Sequence, residues 1–588
     1  MRPAPTILTN KILMSDIRRT ILWVIFGFSV VLLWDKWQIH NGKPPTFFPS
    51  ATPAAAPEPQ RGASAGPSAS PGSVPPASSQ AAAPGAVPGA AAVPAQGTGP
   101  QVHERVTVET DVYRLQFDSE GGTLVFAELR KYADMADKAK GFVLFDQSPT
   151  RVYLPQSGLI GGAGATSGLP THKTPMNLMP GPRTLQDGQN TLSIRFESPD
   201  LGGVKLVKTW TLKRGAYDMV VRHEVLNTGS TPVAPQLYLQ LVRDGNKPPG
   251  ESSFYSTFTG PAIYTEAKKY QKIEFKDIEA GKVDIDQSAS NGYVAMVQHY
   301  FASAWLLPQG AQREFFVRKV DNNLYAVGML APLGTIAPGA SQAVEARLFA
   351  GPEIEKTLEA LAPGLELVKD YGWLTILAKP LYWLLDHLHK LLGNWGWAIV
   401  ALVVLLKLAF YWLNAKAYAS MAKMKAINPK IMEMRERLKD NPQQMQMEMM
   451  RIYREEKVNP LGGCLPIVIQ IPVFIALYWV LLSSVEMRNA PWIGWIQDLS
   501  APDPYFILPL LMTASSLLQT ALNPAPPDPM QAKMMWFMPL IFSVMFFFFP
   551  SGLVLYWLTN NILSIAQQWL INHRMGVPLR LNLPKFKG

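Results

Sequence analysis

The chain of 588 residues carries one cysteine, Cys464. No disulfide can therefore form within it, and any exported part must be held by its own core. Charge is scarce, with Asp, Glu, Lys and Arg at 17 % against 48 % hydrophobic residues. No Asp or Glu falls in the long apolar runs of the C-terminal third. There is no CxxC pair or Cys/His cluster to hold a metal, no HExxH and no phosphate-binding loop. These absences argue against metal-based or nucleotide-driven chemistry. The net charge of +10 resides in Lys and Arg that gather beside apolar runs and not in a separate arm. That distribution fits the cytoplasmic loops of a membrane protein better than a nucleic-acid surface.

What is present divides the chain by composition. Residues 1–38 read as a cytoplasmic N-terminus and a membrane anchor: Ile21 to Trp34 is apolar and follows Arg18 and Arg19. The residues after it, Asp35 to His40, offer no small-x-small cleavage site, so the anchor is expected to stay attached. Residues 39–104 are rich in Pro, Ala, Ser and Gly, a composition that cannot bury a core and serves as a flexible spacer. From 105 to 350, runs such as RVTVET, TLSIRF and YDMVVRHEVL alternate apolar and polar residues between GG, DG, RG and NTG turns. That alternation predicts an all-β, mostly antiparallel sandwich. Helical periodicity begins in 351–393, where Leu381, Leu384, Leu385, Leu388, Leu391 and Leu392 share one face. Such a helix lies flat at a membrane interface or packs on the sandwich.

Residues 394–588 read as an α-helical polytopic bundle. Spans are expected near 395–413, 465–482, 505–522, 534–549 and 552–571, which with the anchor makes about six. The segment 415–458 between the first two of these reads as a basic helical hairpin. Met421, Met424, Ile427, Ile431, Met434 and Leu438 repeat along one arm, and Met445, Met449 and Ile452 along the other. The methionines are seam packing or a soft surface for varied apolar clients. The basic hairpin and the basic tail belong to the cytoplasm, so both termini are cytoplasmic and the sandwich is outside.

Lys407 interrupts the fifteen residues that open the first C-terminal span. A central lysine there costs about 2.5–3.5 kcal/mol, so it either faces protein or water or reaches out to the interface. The other spans supply polar residues: Gln470; Thr513, Ser515, Ser516, Gln519 and Thr520; Thr559, Asn560, Asn561, Ser564, Gln567 and Gln568. Each is interhelical glue taken singly. Together they suggest a hydrated groove around Lys407 with Gln470, Ser516 and Asn560 in its lining.

Long motifs in this third carry a resemblance. GNWGWAIVALVVLLK (393–407), SMAKMKAINPKIMEMRERL (420–438), EEKVNPLGGCLPIVIQIPVFIALYWVL (455–481) and FMPLIF followed by FPSGLVLYW resemble the YidC membrane protein insertases of Gram-negative bacteria. The resemblance implies an inner-membrane protein with a periplasmic sandwich that inserts and folds other membrane proteins, without a cofactor. Its implied partners are nascent membrane proteins, the Sec translocon with its accessory subunits, membrane lipids, and ribosomes or targeting factors at the hairpin. The family's groove arginine falls at Lys407, which keeps the charge but loses the guanidinium fork. An apolar slide for clients is implied at Phe474, Met512, Met545, Tyr556 and Trp557. Where many relatives have proline after the charged helix this chain has Trp412, which implies a straighter helix end. Two other readings compete. A secondary transporter would need matching interrupted helices, which the sequence does not display. A membrane-anchored sugar-modifying enzyme would draw on His223 and His299.

The expected topology is testable with single cysteines in a Cys464→Ser background. Cysteines at Ser68 or Gly339 should react with an impermeant thiol reagent from the periplasm, and those at Lys439 or Lys585 only from the cytoplasm. Outside labelling at Lys439 would refute it.

Overall fold

The computed structural model describes residues 103–134, 137–161, 168–248, 257–438, 441–456, 465–523, 529–576 and 581. The anchor expected in 1–38 and nearly all of the spacer expected in 39–104 lie outside them. The described chain forms two compact units that part between Asp370 and Tyr371.

In the first unit, period-two burial makes strands. Along Thr191–Glu197, Leu192, Ile194 and Phe196 are buried while Thr191, Ser193 and Arg195 are exposed. Two nine-stranded sheets result, and the paired strands run antiparallel. Arg151–Gly161 lies at the centre of one sheet beside Pro235–Asp244, and Ser341–Pro352 at the centre of the other. The sheets face each other: the Tyr153 hydroxyl meets Ser303 Oγ at 2.6 Å, and Trp305 Nε1 donates to the Gln240 carbonyl at 3.1 Å. Two short helices, α1 (Phe275–Glu279) and α2 (Glu355–Leu361), belong to this unit. The strand pattern did not anticipate α1, a five-residue helix with one buried residue, Ile278.

A lysine is buried between the sheets. Lys208 is 0 % exposed, and its Nζ donates to the carbonyls of Gly121 and Ser157, each at 2.7 Å. Burial pulls it from the ordinary 10.5 to about 7. A neutral amine still has two N–H groups, enough for both carbonyls. His223, its cross-strand neighbour, meets Ser157 Oγ at 2.8 Å and is lowered to about 3 by burial and by Lys208.

The second unit is helical: α3 (Thr375–Leu392), α4 (Trp395–Ala409), α5 (Tyr411–Arg437), α6 (Pro442–Glu455), α7 (Leu465–Ser483), α8 (Ile507–Leu522), α9 (Pro529–Phe546) and α10 (Ser551–Arg574). Helix α3 turns Ala378, Tyr382 and Leu385 onto α4 and α7, with Leu381, Leu384 and Leu388 beside them. Leu391 and Leu392 of the expected stripe stay exposed, as do Trp373, Ile376 and Trp383. The helix thus has an inward apolar face and an open one.

Asn394 starts α4, accepting from the Trp397 N–H at 3.0 Å and donating to the carbonyls of Pro491 and Trp492. Gly396 lets that loop close in, because a Cβ there would sit 2.2 Å from the Trp492 ring. The straight helix end expected from Trp412 is not found: α4 and α5 meet at Phe410 with a 69° bend. No proline is needed, since Phe410 leaves helical geometry (φ −93°, ψ 10°) and Gln567 Nε2 donates to the Tyr411 carbonyl just beyond. The residues expected to finish a span at 411–413 therefore begin the first hairpin arm.

Among the described residues no single helix is long and apolar enough to cross a membrane; the bent α4–α5 pair passes that test together. Helix α10 has the length, but its polar residues lower its hydropathy. Helix α9 stops at Phe546, short of the expected 549.

The pH dependence of the sandwich follows from Lys208. The folded lysine loses its proton near pH 7 and the unfolded one near 10.5, so the unfolded chain binds more protons in between and stability rises with pH. Unfolding of residues 103–370, followed by fluorescence of buried Trp210 and Trp305, should show a midpoint that climbs from about pH 7 to about pH 9. Lys208→Met should flatten that climb.

Candidate functional site

Helical spacing sorts the polar residues of α10 onto two faces. Tyr556, Asn560 and Ser564, four residues apart, form a stripe toward α4, α5 and α7. Asn561 and Gln568, seven apart, form a stripe toward α8.

On the first face, Lys407 Nζ donates to Ser564 Oγ at 2.7 Å, and Ser564 donates onward to the Asn560 carbonyl at 2.7 Å. The lysine is half-buried and bonded into the bundle. Gln470 Nε2 donates to Asn560 Oδ1 at 2.7 Å. A small cleft opens among Lys407, Asn414, Gln470, Tyr556 and Asn560, with Val403, Leu406, Phe410, Leu413 and Val473 as apolar walls. No carboxylate is among these lining residues. The cleft can therefore offer a positive charge, amide donors and acceptors, and apolar surface together; it holds no nucleophile paired with a base.

Ser516 is not brought to this cleft. It accepts from Asn561 Nδ2 at 2.8 Å, beside Ser515 at 3.1 Å, and ties α8 to a different face of α10. Gln568 extends the same seam by donating to Asn523. The lysine's own partner, Ser564, stood in the sequence as one polar residue among six. The four-residue spacing from Tyr556 through Asn560 was the signal that could have singled it out.

Of the apolar residues, Phe474 packs edge-on to Trp557 at 4.5 Å and lies 6.0 Å from Tyr556, and Met545 borders the same cluster. Met512 and Tyr556 are inside it, at 1 % and 3 % exposure. Met512 and Tyr556 are thus almost wholly buried, Tyr556 in the lining of the cleft. In the hairpin, Ile427, Ile431 and Met434 form a seam with Met424, Leu438, Met445, Met449, Ile452 and Tyr453. Asn441 caps α6 and Pro442 takes its first position. Met432, Met447 and Met450 face outward. His223 is buried, and His299 stacks on Tyr300 at 3.7 Å in a turn of the sandwich, so neither occupies an open site.

The sequence is 56 % identical over 561 residues to a membrane protein insertase YidC of Cupriavidus necator, covering 95 % of this chain and 98 % of the relative. The chain belongs to the YidC membrane protein insertase family. The family model for the YidC periplasmic domain matches residues 105–384, and that for the 60Kd inner membrane protein matches 387–577. A Janthinobacterium relative of the same name is 51 % identical over 576 residues, covering 96 % of this chain and all of the relative. A crystal structure titled as an active YidC insertase with its first transmembrane domain resolved aligns at 21 % identity and a TM-score of 0.37, over 79 % of this chain and 92 % of that one.

The α8–α10 seam predicts a local effect. Asn561→Leu removes both donors to Ser515 and Ser516 and should destabilise the bundle by about 0.6–1.7 kcal/mol, read as a lower midpoint for unfolding in detergent.

Proposed function

We propose that this chain inserts and folds membrane proteins in the inner membrane, using the cleft around Lys407 as a polar path beside lipid. The observation that carries this reading is the inward-facing ammonium of Lys407, held by a neutral hydroxyl with no carboxylate in the lining. A nascent segment must bring a polar flank and unpaired backbone groups past hydrocarbon, where each unsatisfied group costs several kcal/mol. Gln470, Asn560 and Asn414 offer such groups partners, and Lys407 attracts acidic residues in the flank. Burial of the client's apolar segment in lipid, at about 0.8 kcal/mol per CH₂, supplies the driving force, so no nucleotide is required. Phe474, Met545 and Trp557 provide the apolar side of the path, with Met512 and Tyr556 behind them.

The proposed topology has about six spans, both termini cytoplasmic and the sandwich periplasmic. Aromatic residues support it. Lys416 Nζ lies 3.5 Å from the centre of the Trp412 ring, and Trp569 stacks near His573, marking a cytoplasmic interface. Ser551 to Trp569 spans about 28 Å of helix, close to the hydrocarbon thickness. The basic hairpin of α5 and α6 is the proposed contact for ribosomes or targeting factors, and cooperation with the Sec translocon and its accessory subunits belongs to the same reading.

The test uses paired clients that differ only in the charge of a short exported tail, at matched insertase levels. Lys407→Arg should be active. Lys407→Ala should lose about tenfold on the acidic client, about 1.4 kcal/mol, with little change on the neutral one. Lys407→Glu should lose more through like-charge repulsion. Equal activity of wild type and Lys407→Ala on both clients would overturn the reading.

A further inference from the structure

A lysine stem of four carbons is long enough to carry its head from the cleft toward the interface, so something must hold the Lys407 ammonium inside. The candidate is Ser564. It is buried on α10, accepts from Lys407 Nζ at 2.7 Å and donates to the Asn560 carbonyl at 2.7 Å, one turn earlier on its own helix. That second bond fixes its hydroxyl rotor, so the lone pairs point where the ammonium arrives. With its one proton given to the Asn560 carbonyl and one bond received from Lys407, the Ser564 hydroxyl is oriented from two sides.

We infer that Ser564 is a positioning residue that sets the preference for acidic clients: it aims the Lys407 ammonium into the cleft while leaving its charge unneutralised. The inference rests on the groove reading above. Neutrality is the essential property. A carboxylate at position 564 would hold Lys407 as well or better, but a client's acid would then have to displace it, and the net attraction would vanish. A hydroxyl occupies one of the three ammonium N–H groups and leaves two for a client. It also suits lysine in particular, because a single oxygen matches a point-charge donor and not a guanidinium fork.

The experiment measures the ratio of insertion rates for the acidic-tailed and neutral-tailed clients, in the full chain at matched membrane levels. Ser564→Thr, which keeps the hydroxyl, should retain the wild-type ratio. Ser564→Ala should lower it about threefold to fivefold, and Ser564→Asp should bring it close to one, both with the neutral client still inserted at near wild-type rate. A merely structural role would lower both clients together and leave the ratio unchanged; that result in Ser564→Ala and Ser564→Asp, with Lys407→Ala still altering the ratio, would overturn the inference. If Lys407→Ala leaves the ratio unchanged, the groove reading itself fails. Should Ser564→Ala not accumulate, the contrast between Ser564→Thr and Ser564→Asp decides alone.

Discussion

A positive charge with no acid among the described residues lining its cleft is the constraint around which the helical unit is arranged. Lys407 sits in α4 among Val403, Val404, Leu405, Leu406 and Leu408, and its partner is a serine hydroxyl on α10. The charge is met by a polar stripe on α10, whose Ser564 accepts from Lys407 and whose Asn560 accepts from Gln470 of α7. The polar load of α10 explains why its 24 residues do not read as an apolar span despite their length. Hydropathy is given up there for hydrogen-bonding capacity.

The bend at Phe410 places this charge in a particular setting. Helix α4 is held at its start by Asn394 and by the close approach of Trp492 to Gly396. Beyond the bend, α5 runs without a break into the methionine seam of the hairpin. One continuous stretch of chain thus joins a fixed helix end, a charged cleft and a basic helical arm. The first turn of α5 is tied to Gln567 of α10, which donates to the Tyr411 carbonyl.

The sandwich solves a related problem differently. Lys208 is also an interior lysine without a carboxylate, but two backbone carbonyls enclose it and no opening adjoins it. Burial favours its neutral form, and it joins the two sheets as a hydrogen-bond donor. Lys407 differs in being half-buried and lining a cleft. The two lysines show that residue type alone does not decide between a structural cross-link and an available charge; access does.

The sequence by itself determined what periodicity and composition govern. Period-two burial marked the strands from Arg105 onward, because inward and outward residues in a half-buried strand cannot be exchanged without losing the core. The capped turn at Asn441 and Pro442 and the apolar repeat from Met424 to Ile452 marked the two hairpin arms for the same reason. The absence of acids marked Lys407 as unusual, and long motifs carried the family. Tertiary structure alone decided which polar residues meet. Ser516 and Asn560 look equivalent in sequence, yet Ser516 meets Asn561 while Asn560 meets Gln470, since 100° per residue turns neighbouring side chains of α10 to different helices. It also decided the 69° bend, which no proline signals and which depends on a glutamine 156 residues away. Long-range pairings of this kind leave no local pattern, because the groups involved satisfy one another across the bundle and not along the chain.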